Sequence, residues 1–180
     1  IDERQVLAMS AAAALGRKID QLIIDIFDAG SNSANIAHGS AGLTLAKALT
    51  VYETFGEADV PDDGQRYFVV SPAGWADLLQ VDQFSRAEYV GEMDLPYAGG
   101  MTAKRWMGFL FFTHSGLTVA SSNRDCHAWH SSAVGLASGS DVRTEMNYVP
   151  EKVSNLITSY FSSGAVEIDG NGLIQCIIAE

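Results

Sequence analysis

Between residues 4 and 27, apolar side chains recur at the spacing of one helix face: Leu15, Ile19, Leu22, Ile23, Ile26 and Phe27 follow an alanine run at 11–14. The spacing predicts one long helix. Gly30 ends it, and the Ser-, Asn-, Ala- and Gly-rich stretch 31–42 has too little apolar area to pack a core, so it reads as a surface loop. A second stripe of Leu45, Ala48, Leu49, Tyr52 and Phe55 predicts a helix that stops at Gly56, ahead of Pro61. After the turn Asp62-Asp63-Gly64, the run 67–70 (Tyr-Phe-Val-Val) has the length and β-rich composition of a buried strand. Ser71 then supplies an N-cap oxygen and Pro72 suits the first helical position, with Trp75, Leu78 and Leu79 on the inner face of a third helix.

Beyond residue 94 the pattern becomes loop and strand. Residues 94–103 are rich in Pro, Gly and small side chains and read as a long loop, whereas 107–112 and 128–136 read as strands. The stretch 150–161 fits two periods at once. Val153, Leu156, Ile157, Tyr160 and Phe161 lie on a helical stripe, while the Val, Thr, Tyr and Phe content favours a strand. Residues 165–168 and 173–178 flank Asp169-Gly170-Asn171-Gly172, a hairpin signal.

Composition narrows the class. In 180 residues, 47% are hydrophobic and 18% charged, which suits one folded core or two small lobes sharing one and excludes a disordered chain. No apolar run approaches the roughly 20 residues of a membrane-spanning helix. The 22 acidic and 11 basic residues leave a net charge of −11, a surface that repels phosphate and argues against sequence-specific or wrapping contacts with nucleic acid. The chain opens at Ile1 with neither an initiator Met nor a secretory leader, so Ile1 reads as a cut end within a longer protein. Cys126 and Cys176 sit in apolar, strand-like settings without paired spacing and read as buried free thiols of a reducing compartment.

The residues with chemical potential do not assemble a recognisable site. His114, His127 and His130 are the one candidate metal set, but on a strand His127 and His130 point to opposite faces, and no CxxC or HExxH pattern supports them. The segment His38-Gly39-Ser40-Ala41-Gly42 resembles a nucleophile elbow but lacks its first glycine and a preceding strand. No phosphate-binding glycine motif occurs. Asp62 and Asp63 read as turn acids, Trp75, Trp106 and Trp129 as core or interface anchors, and Arg124 with Asp125 as a loop ion pair. No catalytic, cofactor-binding or metal-binding residue is assigned, and no cofactor is expected.

The block from Tyr67-Phe68-Val69-Val70-Ser71-Pro72 into Trp75-Ala76-Asp77-Leu78-Leu79 resembles a strand-turn-helix unit of tailed-bacteriophage major capsid proteins. Two further stretches, Ala128-Trp129-His130-Ser131-Ser132-Ala133-Val134-Gly135-Leu136-Ala137 and Gly164-Ala165-Val166-Glu167-Ile168-Asp169, are similar to coat-protein strands, and the order of elements along the chain fits as well. The resemblance implies an α+β fold, shared with encapsulin shell proteins, with a long spine helix, a peripheral domain with long β-strands and an axial domain of mixed sheet plus helices. It places residues 1–42 and 150–180 in the peripheral domain and 43–149 in the axial domain, favours the strand reading of 152–161, and implies that an N-terminal arm and a long hairpin loop precede Ile1.

The function so implied is that of a non-enzymatic subunit of an icosahedral shell enclosing a phage genome. Its partners are copies of itself in hexamers and pentamers, with portal, scaffold or decoration proteins as further candidates and no membrane. The location is the virion, after assembly in the host cytoplasm. An encapsulin-type compartment shell is the alternative within the fold, and a small cytosolic metal-dependent hydrolase using His114, His127 and His130 is the alternative of another class. Two expectations bear directly on the fold. The α-helical face Leu15, Ile19, Leu22, Ile23 and Ile26 should pack on a sheet of C-terminal strands, and Trp75 should be buried.

Overall fold

A computed structural model describes residues 3–30, 32, 34–86 and 103–180. The predicted first helix is α1 (Glu3–Ala29), 27 residues and about 40 Å long. Helix α2 (Leu45–Glu57) starts at Thr44, whose side-chain oxygen accepts the Lys47 N–H, and runs through Gly56 rather than stopping there. Strand β2 (Arg66–Val70) leads through Ser71 into α3 (Pro72–Gln80), where Ser71 Oγ accepts the Gly74 N–H at 3.0 Å and Pro72 opens the first turn. A short helix, α4 (Asp82–Ser85), follows.

The main sheet has the order β1-β9-β6-β2-β4-β3, with β5 (Val119–Ala120) on the end of β6. Its members are β1 (Ala34–Ile36), β3 (Ala103–Trp106), β4 (Phe109–Thr113), β6 (Asn123–His130) and β9 (Leu173–Ala179), with β2 near the middle. Register sorts its side chains onto two faces. Phe68 lies opposite Phe111 and Ala128, Ala128 opposite Ile174, and Cys126 opposite Cys176, so these fully or nearly fully buried residues share one face. That face receives Val51 and Phe55 of α2, Leu78 of α3 and Phe84 of α4, which together form the core. The other face presents Val69, His127 and Trp129, and there α1 docks through Ile24 and Phe27.

The long strands β7 (Val134–Val149) and β8 (Ser154–Glu167) form a separate antiparallel two-stranded ribbon. Helix α1 lies along β8 and touches β7 and β9, so it does pack on C-terminal strands. The residues that seat it differ from the expected stripe. Leu15, Ile19, Leu22, Ile23 and Ile26 are half-buried, whereas Ile24 and Phe27 are 5% and 2% exposed. Trp75 is likewise half-buried, lying edge-on against Phe84 with ring centroids 5.5 Å apart.

Four local readings are corrected and one open reading is settled. The loop 31–42 contributes β1, which pairs in parallel with β9 through backbone groups and so requires no apolar signature. The strand expected at 107–112 starts two residues later, because Met107 and Gly108 take positive φ (50° and 79°) and form the tight turn between β3 and β4. The strand expected at 128–136 is two strands, broken at 131–133 where the Ala133 N–H donates to the His130 carbonyl. The stretch 150–161 resolves into a 3₁₀ turn (Pro150–Lys152) and the start of β8. Residues 165–178 are no hairpin, since β8 pairs with β7 while β9 pairs with β6 and β1, and a 3₁₀ turn (Gly170–Gly172) joins the two sheets. Of the loop read at 94–103, residues 94–102 lie outside the described residues and Ala103 opens β3.

Candidate functional site

Each histidine of the candidate metal set meets a different aspartate. His114 Nε2 lies 3.5 Å from Asp20, His127 Nε2 3.0 Å from Asp28 and His130 Nε2 3.1 Å from Asp63. Asp20 and Asp28 both belong to α1, so two of the three pairs tie that helix to the sheet. No three His, Cys, Asp or Glu side chains gather to hold a metal among the described residues. The hydrolase alternative therefore loses its constellation. Backbone alternation predicts as much, because His127 faces α1 and His130 points to the opposite face of β6.

The contact between α1 and the sheet holds a polar cluster around His127. His127 is fully buried against the Phe27 ring, with centroids 5.3 Å apart. Its Nε2 approaches Asp28 Oδ1 at ion-pair distance but at an angle poor for a hydrogen bond, and its Nδ1 has no partner. The Thr118 hydroxyl donates to the other Asp28 oxygen, and the Asn35 amide donates to the Gln175 side-chain carbonyl at 3.0 Å. Burial pushes the Asp28 carboxyl up, but the nearby His127 ring and the Thr118 hydroxyl bond outweigh it and hold the group below the usual carboxylate range. Asp125 goes the other way, raised by burial and by the nearby charge of Asp28. A threonine bound to the carboxylate rather than to the imidazole cannot surrender its proton to His127, so this is no nucleophilic triad.

The elbow-like segment is also inert in its geometry. His38 Nδ1 accepts the backbone N–H of Ser40 at 3.0 Å and so does not face its hydroxyl as a base. Lys47 fastens the segment by donating to the carbonyls of His38, Ala41 and Ile177 at 2.8, 2.7 and 3.1 Å, which uses all three ammonium protons. Arg66 does similar work beneath the 60–65 turn, donating to Val60 and Pro61 carbonyls and lying over the Phe55 and Phe109 rings. Arg124 lies on β6 rather than in a loop, and its partner is Glu180 at 3.0 Å, not Asp125. Asp63 keeps its turn role, its carboxylate accepting the Gln65 N–H, and takes His130 in addition. Cys126 and Cys176 face each other across β6 and β9, and burial pushes their thiols up to about 12 and about 11.

What the molecule does expose is apolar surface. The ribbon is about 50 Å long and carries Met146, Tyr148, Val153 and Leu156 at 48–79% exposure, while the first turns of α1 present Val6, Leu7 and Met9 at 53–64%. A surface of this kind marks protein–protein contact in a soluble protein. Sequence periodicity had no means of finding it, because the exposed face of the ribbon carries the same residue types as a buried strand.

No curated protein sequence matches the chain. The capsid of the cyanophage P-SCSP1u has the same fold at 16% identity and a TM-score of 0.76, over 100% of this chain and 67% of that one. The structure from Mycobacterium phage Che8 matches at 19% identity and 0.75, over 94% of this chain and 61% of that one, and a virus-like particle from Pyrococcus furiosus at 12% and 0.59, over 92% and 64%. The chain thus spans about two-thirds of the length of these shell proteins. A family model described as phage capsid protein matches residues 1–180, and the chain therefore belongs to the phage capsid protein family, as a structural, non-enzymatic shell subunit with the expected α+β capsid fold.

Proposed function

We propose that copies of this chain form the wall of an icosahedral bacteriophage capsid enclosing the genome, joined laterally in hexamers and pentamers. The exposed apolar residues of the ribbon end and of the helix start carry the reading, since both lie beyond the core cluster. Residues 1–42 and 150–180 are assigned to a peripheral part and 43–149 to an axial part, with β7 reaching across to pair with β8, and with β1 and β9 reaching the other way into the main sheet. The capsid would be assembled in the host cytoplasm, where Cys126 and Cys176 stay reduced. Portal, scaffold and decoration proteins are the further partners this role implies. The likeness to the Pyrococcus furiosus particle makes an encapsulin-type compartment the second reading, and the family match favours the phage shell over it.

Native mass spectrometry and negative-stain microscopy of the full-length protein test the proposal. Closed particles or curved sheets of many subunits are expected. A protein that stays monomeric or dimeric at all concentrations, with or without co-expressed phage proteins, would overturn it.

A further inference from the structure

The two cysteines of the chain stand directly opposite each other on neighbouring antiparallel strands, Cys126 on β6 and Cys176 on β9. The directions of the flanking backbone bonds show which kind of pair they make. The Glu180 N–H donates to the Ser122 carbonyl across this ladder, whereas the Asp125 and Ala179 N–H groups turn away from it, to the carbonyls of Thr118 and Ala41. Even-numbered residues of both strands therefore face the shared ladder, and 126 and 176 are a hydrogen-bonded pair with Cα atoms about 5.5 Å apart. That separation is among the commonest in disulfides. The Cβ atoms of such a pair start about 5 Å apart and must close to about 4 Å, so the bond carries strain and yields to reductant more readily than an ordinary structural disulfide. We propose that Cys126 and Cys176 form a reversible cross-strand disulfide, closed by a low-molecular-weight disulfide oxidant and reopened by thiols, that staples β9 to β6.

Burial sets how the reaction is reached. Both thiols are fully buried, so neither meets an oxidant while the ladder is closed. Strand β9 lies one strand from the end of the sheet and is covered there by the three-residue β1, whose Ile36 stands beside Cys176. Opening from that end is the shortest route to the sulfurs, and in the opened segment both thiols titrate near the free-cysteine value of about 8.5.

The exchange then runs in two steps. The thiolate of one cysteine attacks a sulfur of the oxidant, such as oxidised glutathione, forming a mixed disulfide and expelling one glutathione thiolate. The second cysteine, as thiolate, attacks the protein sulfur of that mixed disulfide, forming the Cys126–Cys176 bond and expelling the second glutathione thiolate. The protein gives up two protons and two electrons, and the oxidant takes them up and leaves as two glutathione thiols. Strand pairing holds the two sulfurs face to face, which favours the second step over a lasting adduct. When the ladder recloses, the bond is buried.

Where the oxidant comes from rests on the proposed function: subunits folded in a reducing cytoplasm keep both thiols, and a particle released from the cell meets oxidising surroundings. The chemistry of the pair does not depend on that reading and is tested on the full-length protein before assembly. Wild type, Cys126→Ser and Cys176→Ser are incubated with oxidised glutathione, in buffer and in urea below the unfolding transition, quenched in acid, and followed by intact mass and non-reducing peptide mapping. Wild type should lose two hydrogens and yield linked peptides containing Cys126 and Cys176 of one chain, slowly in buffer and several-fold faster in urea. Dithiothreitol should restore both thiols. Each serine variant should stop at a glutathione adduct on its remaining cysteine. A wild-type protein that keeps both thiols in urea, accumulates adducts on both cysteines, or links them only between copies would overturn the disulfide.

Discussion

Phe27 shows how one side chain can hold a helix to a sheet. It is 2% exposed, lies tilted against the Trp129 ring with centroids 4.7 Å apart and covers His127 at 5.3 Å, so its removal opens the α1 seat. Phe27→Ala should lower stability by about 3–5 kcal/mol, read as a shift in the urea midpoint without a change in slope. Ile23, half-buried on the flank of the same seat, should be more tolerant of truncation than Ile24. The cysteines make a second residue-scale prediction. Thiols buried and raised to about 11 and 12 hold almost no thiolate at neutral pH, so neither should react with a thiol-specific reagent in the native state, and both should react at once in denaturant. Stoichiometric native labelling of Cys126 or Cys176 would show that β6 and β9 part from each other.

At the scale of elements, the helix starts were the most legible features, because an N-cap is a local contract between a side-chain oxygen and an N–H two or three residues on. Ser71 honours it in a buried setting, and Ser71→Ala should destabilise the protein by about 1 kcal/mol, measured as a lower melting temperature. Tight turns were less legible where the residue is unorthodox. Met107 adopts φ 50° in the turn before Gly108, a region that favours Asn or Gly. Met107→Asn should therefore stabilise the β3–β4 hairpin by about 0.5 kcal/mol, and a loss of stability would mean that the half-buried methionine side chain contributes more than the turn strain costs. Strand pairing was not legible. The β1–β9 and β6–β9 ladders join residues far apart in the chain, and the apparent hairpin at 165–178 failed because β8 pairs with β7 and β9 with β6 and β1.

For the molecule as a whole, charge acts on association rather than on fold. A net charge of −11 makes copies repel one another, and salt screens that repulsion over a Debye length of about 8 Å at physiological ionic strength. Assembly of the full-length protein driven by apolar contact should strengthen from low to moderate salt, whereas binding to DNA would weaken over the same range. Sedimentation at the two salt levels, with and without DNA, reads both, and a stable DNA complex at moderate salt would contradict the picture of a wall that encloses nucleic acid without gripping it.

The sequence by itself determined the α1, α2 and α3 helices, the buried strand β2, the acidic surface and the lack of any recognisable catalytic motif, because periodicity, capping and composition are written within a few residues of one another. Its ordered likeness to coat proteins also pointed to the α+β capsid fold that the family match bears out. Only the tertiary structure decided which aspartate each histidine meets, since Asp28 and His127 lie 99 positions apart and nothing local links them. It also decided that β7 and β8 stand off as a ribbon while β9 joins the main sheet. Both outcomes depend on backbone pairing and burial between distant segments, which local patterns of hydrophobic and polar residues do not encode.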